Sequence, residues 1–150
     1  MREGDMDVKI RGFEAGDEDA LVAILKANQQ YGHPEMDGPE AMRRVSECAA
    51  AEFLVAEHDG RVAGMIRGTF DGSRAVIYLA SVDRARQRQG IGRALVLEIA
   101  RRFQARGAQS IAVIVPGDIE FWKKMGFRET TRVMHAYPIE QWLGVAAHPR

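Results

Sequence analysis

Residues 82–96 read VDRARQRQGIGRALV, with two glycines one residue apart where a helix has to begin. Glycine inside a helix costs about 1 kcal/mol against alanine. At a helix entrance it instead lets a ligand come close to the backbone. From Gly90 onward the apolar residues Ile91, Leu95, Ile99 and Phe103 recur at helical spacing, and Gly107 is a plausible stop. A helix start leaves backbone N–H groups unpaired at the positive end of its dipole. Gly90 and Gly92 remove side chains in front of those groups, and Arg84, Arg86, Arg88 and Arg93 surround them. That composition suits an anion such as phosphate. Spacing alone leaves a second reading open, in which the glycines only shape a loop and the arginines are solvated.

Working outward, strand and helix patterns alternate around this loop. Residues 7–13 alternate polar and apolar and read as a strand. Residues 16–30 carry acids in front and Leu21, Ile24 and Leu25 at helical spacing, and 39–50 read as a second helix. Between them 31–40 is a loop with Gly32, Pro34, Gly38 and Pro39. Asp59-Gly60 and Asp71-Gly72 punctuate the apolar run 52–82, predicting two hairpins and three antiparallel strands. The third, about 75–82, leads into the glycine loop. Residues 110–116 form an apolar run of strand length, so strand, helix and strand make one parallel crossover. A short helix over 118–126, with Asp118 at a capping position, and a last strand over 127–137 complete the order β-α-α-β-β-β-α-β-α-β. The expected fold is a mixed α/β sheet, mostly antiparallel, with helices on both faces, in one domain over 1–150.

Composition bounds the function. The 150 residues suit one domain, and Lys plus Arg balance Asp plus Glu, so the chain lacks the overall basic charge of a nucleic-acid binder. A charged start and the absence of a long apolar run predict neither a leader peptide nor a membrane contact. One cysteine, Cys48, excludes an internal disulfide framework and fits a cytoplasmic protein. Cys48 lies in a helical apolar run and reads as packing. His33, His58, His135 and His148 have no ligand spacing, so no metal is expected. Phe121 and Phe127 read as core, and Trp142 as a core cap or part of a partner surface.

Three phosphate-binding patterns compete at the loop. A P-loop needs Gly-Lys-Ser/Thr, which is absent. A dinucleotide fingerprint would place Leu95 where a third Gly or Ala belongs, with Asp118 as the ribose acid, and only one parallel crossover is available. The third pattern is the best match. VDRARQRQGIGRALV resembles the acyl-CoA pyrophosphate loop of the GNAT superfamily of N-acetyltransferases, Gln/Arg-x-x-Gly-x-Gly/Ala, filled here by Gln87, Gly90 and Gly92. FWKKMGF, from Phe121 to Phe127, resembles that family's closing Phe-Tyr-x-x-x-Gly-Phe block, and the element order agrees over about residues 7–136.

The resemblance implies acetyl transfer from acetyl-CoA, as acyl-donor substrate, to a primary amine by direct attack. It assigns cofactor contact to Ala80, Ser81, Val82, Gln87, Arg88, Gln89, Gly90, Ile91, Gly92, Arg93 and Trp122. The Ala80 backbone N–H would stabilise the oxygen that gains charge in the transition state. Two family features are missing. Trp122 stands where many members place a tyrosine acid, and its indole N–H donates a hydrogen bond without serving as an acid at ordinary pH. Val76 stands where some members carry a glutamate base. The acid role would pass to Tyr137, Tyr78 or a water, or the thiolate would leave unassisted, since free thiols titrate near about 8.5. Glu35, Asp37 and Glu140 fall where the resemblance puts the acceptor, a small-molecule or peptide amine, and would favour a cationic one. A homodimer is compatible with this reading. The alternative is a GNAT-like acyl-CoA-binding module without turnover.

Overall fold

A computed structural model describes residues 7–114 and 117–148. The chain divides into two compact units, Met1–Pro116 and Gly117–Arg150. The first holds β1 (Val8–Gly12), α1 (Glu18–Ala27), α2 (Pro34–Asp37), α3 (Pro39–Glu47), β2 (Ala51–His58), β3 (Arg61–Phe70), β4 (Ala75–Val82), α4 (Ile91–Ala105) and β5 (Ile111–Val113). The second holds α5 (Ile119–Lys124) and α6 (Ile139–Ala146). The five strands form one sheet in chain order. β1 to β4 are antiparallel neighbours, and β5 joins β4 in parallel.

The hairpins follow from their turn residues. Asp59 and Gly60 both take positive φ, 53° and 74°. That is the two-residue turn whose twist matches the strands it joins. At the second turn the Asp71 carboxylate accepts from the Ser73 and Arg74 N–H groups, each at 2.8 Å. Those bonds stand in for a backbone turn and hold the carboxyl below its ordinary pKa.

Strand periodicity then divides the core. Phe53, Val55 and Met65 face one side and bury Leu21, Ile24 and Leu25 of α1 with Met42 of α3. Their neighbours Leu54, Ala56 and Ile66 are equally buried and face the other side. On that face a Cβ on Gly64 would lie 3.4 Å from Leu95 Cδ1, which fixes α4 there. The α4 stripe Ile91, Leu95, Ile99 and Phe103 is buried as its spacing predicts. The helix ends at Gly107, φ 107°, whose N–H bonds Gln104 O while that of Ala108 bonds Phe103 O.

Three expectations need correction, and one helix comes in addition to the expected elements. Residues 127–137 alternate but form no strand. Their unit holds no other strand among its described residues, and alternation without a pairing edge does not make a strand. Within the expected loop 31–40, Pro34 starts the one-turn helix α2. Residues 139–146 are helical as α6, which opens after Pro138. Cys48 caps α3 and is exposed, so it does not pack. The last two residues of the run 110–116 lie outside the described residues.

Candidate active site

The site starts from an irregularity in β4. Arg67 pairs with Leu79, but the next residue, Gly68, pairs with Ile77, so Tyr78 is an extra residue. A side chain at Gly68 would run into the Val76 carbonyl oxygen, which is why the tight approach has glycine. Because strand residues alternate, one extra residue exchanges the two edges beyond it. Ile77 turns its carbonyl to the β5 side, where Ile114 N–H donates to it at 2.9 Å. β5 pairs only with Ala75, Val76 and Ile77. Past the bulge Ala80 and Val82 face away from β3 along an edge with no strand beside it among the described residues. Their carbonyls accept side-chain amides: Gln30 Nε2 to Ala80 O at 3.0 Å, and Asn28 Nδ2 and Gln87 Nε2 to Val82 O at 2.9 and 3.1 Å. A strand residue directs its N–H and C=O to the same side, so the Ala80 and Val82 N–H groups face that edge too. Ser81, buried, turns the other way, and its Oγ accepts from Asn28 Nδ2 at 2.7 Å.

The loop after β4 is pinned by its own polar groups. Asp83 N–H donates to Ala63 O at 2.8 Å, and the Asp83 carboxylate caps the 3-10 turn Arg84–Arg86 through Ala85 N–H. Arg84 donates to Ala27 O and Arg86 to His58 O. These two guanidinium groups therefore shape the loop rather than simply adding charge to it. Arg88, Gln89 and Gly90 are exposed at the tip. Gly90 caps α4 with φ 84°, in open space, so its conformation and not its size requires glycine. Ile91 turns its side chain into the core, which leaves only its backbone for a ligand. Gly92 and Arg93 complete the opening turn, whose N–H groups point out along the helix axis.

On the α1 and α3 face, the loop acids sit differently. Glu35 is largely exposed, 3.6 Å from His33. Asp37, the last residue of α2, reaches down to Arg67 of β3, Oδ1 to Nη2 at 2.7 Å. Desolvation pushes the Asp37 carboxyl up despite the attraction of Arg67, and pushes Arg67 down. Tyr78, beside the same guanidinium, is raised by burial. The sequence reading passed over Arg67. Its signal was a lone charge between Ile66 and Gly68 on an otherwise apolar strand face.

In the second unit Trp122 is buried, with Phe121 and Phe127, both partly buried, edge-on to it at 5.1 and 5.3 Å. Asp118 stands at the α5 N-cap, without a capping side-chain bond. Tyr137, Glu140 and Trp142 are exposed. Val76 lies on β4 opposite Thr69 and carries no polar group. Among the described residues no group of acids, His and Cys is placed to hold a metal ion, and no helix is long and apolar enough to cross a membrane.

A family profile described as the acetyltransferase (GNAT) family matches residues 19–127. The chain is 41% identical over 111 residues to acetyltransferase plu1384 of Photorhabdus laumondii, covering 74% of this chain and 77% of that protein. It is 28% identical over 134 residues to acetyltransferase SG1711 of Sodalis glossinidius, covering 85% and 92%. Among solved structures, the aminoglycoside N-acetyltransferase AAC(6')-Iy in complex with CoA superposes with a TM-score of 0.71 at 16% identity, covering 87% of this chain and 94% of that one. At that identity the likeness speaks for the fold.

Proposed function

This chain belongs to the acetyltransferase (GNAT) family, and on that premise we propose that it moves the acetyl group of acetyl-CoA to a primary amine by direct attack, as one catalytic domain over 1–150. The observation that carries the reading is the open edge of β4 at Ala80 and Val82, which runs into a helix start opened by Gly90 and Gly92. An extended amide-bearing arm suits an unpaired strand edge, because it can exchange backbone-type hydrogen bonds with it. A pyrophosphate at its far end suits the α4 N-terminus. Gln87, Arg88, Gln89, Ile91 and Arg93 then border the phosphates, Ile91 through its backbone.

In this reading the thioester carbonyl lies at Ala80, whose N–H stabilises the oxygen as it gains charge. The neutral amine attacks the carbonyl carbon, and the carbon–sulfur bond breaks. Trp122 shapes the acyl site and offers no acid proton. The proton for the thiolate comes from Tyr137, Tyr78 or a water, or the thiolate leaves unassisted without great cost. The acceptor is a small-molecule or peptide amine.

The experiment is a panel of amines with acetyl-CoA, following free thiol release and the mass of the product. Thiol release matched by one added acetyl group per amine is the expected outcome. A chain that binds acetyl-CoA and releases no thiol with any amine of the panel is instead a binding module without turnover.

A further inference from the structure

Arg67 is a buried charge that the acetyl transfer described above does not use. It is 2% exposed on β3, opposite both Phe53 and Leu79, and its neighbour Ile66 pairs with Ala80. Its guanidinium carbon lies 5.7 Å from the Phe53 ring and 5.4 Å from the Tyr78 ring. Nη2 donates to Met36 O at 3.0 Å and to Asp37 Oδ1 at 2.7 Å. Nε and Nη1 are buried with no hydrogen-bond partner among the described residues. Removing a guanidinium from water for one carboxylate, one carbonyl and two ring faces is poor value for stability, since a buried ion pair replaced as a whole by well-packed apolar side chains is often no less stable. What the arginine does achieve is a fixed carboxylate. Asp37 is the last residue of a four-residue helix, too short to hold a side chain by itself. Its Oδ1 is anchored to Arg67, its Oδ2 accepts no bond among the described residues, and its side chain keeps 21% exposure, so a ligand can reach it.

We propose that Asp37, held in place by Arg67, is the carboxylate that takes the proton from the acceptor, and that the acceptor is a cationic amine arriving as its ammonium form. The proposal rests on the reading of Ala80 as the thioester site, one strand from Arg67. In the step, the ammonium gives one proton to Asp37, directly or through one water. The freed lone pair forms the carbon–nitrogen bond, and the carbon–sulfur electrons leave on sulfur. The second nitrogen proton goes to the thiolate, so the products are the amide, the free thiol and one proton passed from Asp37 to water. Burial, which raises the proton affinity of Asp37, favours this role. The charged and titratable groups around it are Arg67 on β3, Tyr78 on β4, His33 at the start of α2 and Glu35 on it. Arg44 of α3 bonds the Glu35 carbonyl, and the Tyr31 hydroxyl lies beside Gly38.

The test uses the full chain, acetyl-CoA and an amine that the wild type acetylates. Asp37→Asn keeps the shape and an acceptor for Arg67 but cannot take the proton. The expected result is a loss of about 100-fold in kcat/KM for the amine. The acidic limb of its pH profile should disappear, while the thermal shift given by acetyl-CoA stays unchanged. Arg67→Met should lower the rate and move the acidic limb to higher pH, because a cation that favoured the carboxylate is gone, and it should melt lower at neutral pH, where Asp37 keeps its charge without its partner. Arg67→Lys should return the limb toward its wild-type position. Transfer that survives Asp37→Asn with its acidic limb intact overturns the proposal alone, as does a limb that stays in place in Arg67→Met. Should Asp37→Asn not fold, the contrast between Arg67→Met and Arg67→Lys decides. Wild type that binds acetyl-CoA but acetylates no cationic amine overturns the wider reading and this proposal with it.

Discussion

Replacing Gly68 by alanine tests whether the β3–β4 irregularity builds the site. A Cβ there would meet the Val76 carbonyl oxygen, with Ile77 Cα at 3.0 Å and the Val76 carbonyl carbon at 3.1 Å. All three are backbone atoms, so no side-chain rotation relieves the clash. The strands must separate or the bulge must move. Overpacking of this kind costs about 1–3 kcal/mol. At roughly 2–4 °C per kcal/mol for a chain of this size, melting should fall by about 2–12 °C. The functional consequence is sharper. If Tyr78 is forced into the ladder, Ala80 and Val82 turn toward β3 and Leu79 and Ser81 take the open edge. The arm of acetyl-CoA would then meet the wrong amides. The assay is thermal unfolding with and without acetyl-CoA at about a hundred times its wild-type dissociation constant, where binding contributes about 2.7 kcal/mol to wild type. Gly68→Ala should melt lower and lose most of that ligand-induced rise. Gly60→Ala, in the β2–β3 turn, is the control. Its Cβ meets open space, so only the left-handed backbone resists it, at about 1–2 kcal/mol. A Gly68→Ala protein that melts like wild type and keeps the full acetyl-CoA shift would refute the reasoning.

Gly92→Asp should fold, since α4 opens at the surface, yet bind acetyl-CoA at least tenfold more weakly, about 1.4 kcal/mol, and calorimetric titration checks it. Unchanged affinity would return the glycine loop to a purely structural role. Trp122→Phe should leave turnover at saturating acetyl-CoA within a few-fold of wild type, because the residue packs between two phenylalanines and supplies no acid. Collapsed turnover with intact binding contradicts this. Asp17 predicts an acid limit to stability. Burial alone would raise its pKa, but two bonds from Arg11, at 2.8 and 2.9 Å, and one from Glu14 N–H bring it below the ordinary value. A carboxyl depressed on folding contributes stability above its unfolded pKa, near about 3.9, and loses it as pH falls through the folded pKa. Urea unfolding across that window should therefore show a stability drop that Asp17→Asn flattens, and equal slopes for the two proteins would count against it.

What the sequence by itself determined is what depends on neighbours along the chain. Asp59-Gly60 and Asp71-Gly72 announce their turns because only a few residue types accept those backbone angles. Ile91, Leu95, Ile99 and Phe103 announce α4 because a helix repeats every 3.6 residues, and the glycine before them announces its entrance. The family was legible for the same reason, since its loop is one continuous motif. Tertiary structure decided whatever depends on a distant partner. Alternation over 127–137 gave no strand, because a strand also needs an edge to pair with. Tyr78 became the extra residue because Gly68, across the sheet, permits the close approach, and this turned Ala80 and Val82 outward. Arg67 and Asp37 stand thirty residues apart and meet at 2.7 Å only once α2 folds over the sheet. Nothing local distinguishes Asp37 from the more exposed Glu35 two residues earlier. Burial distinguishes them, and burial is a property of the folded chain.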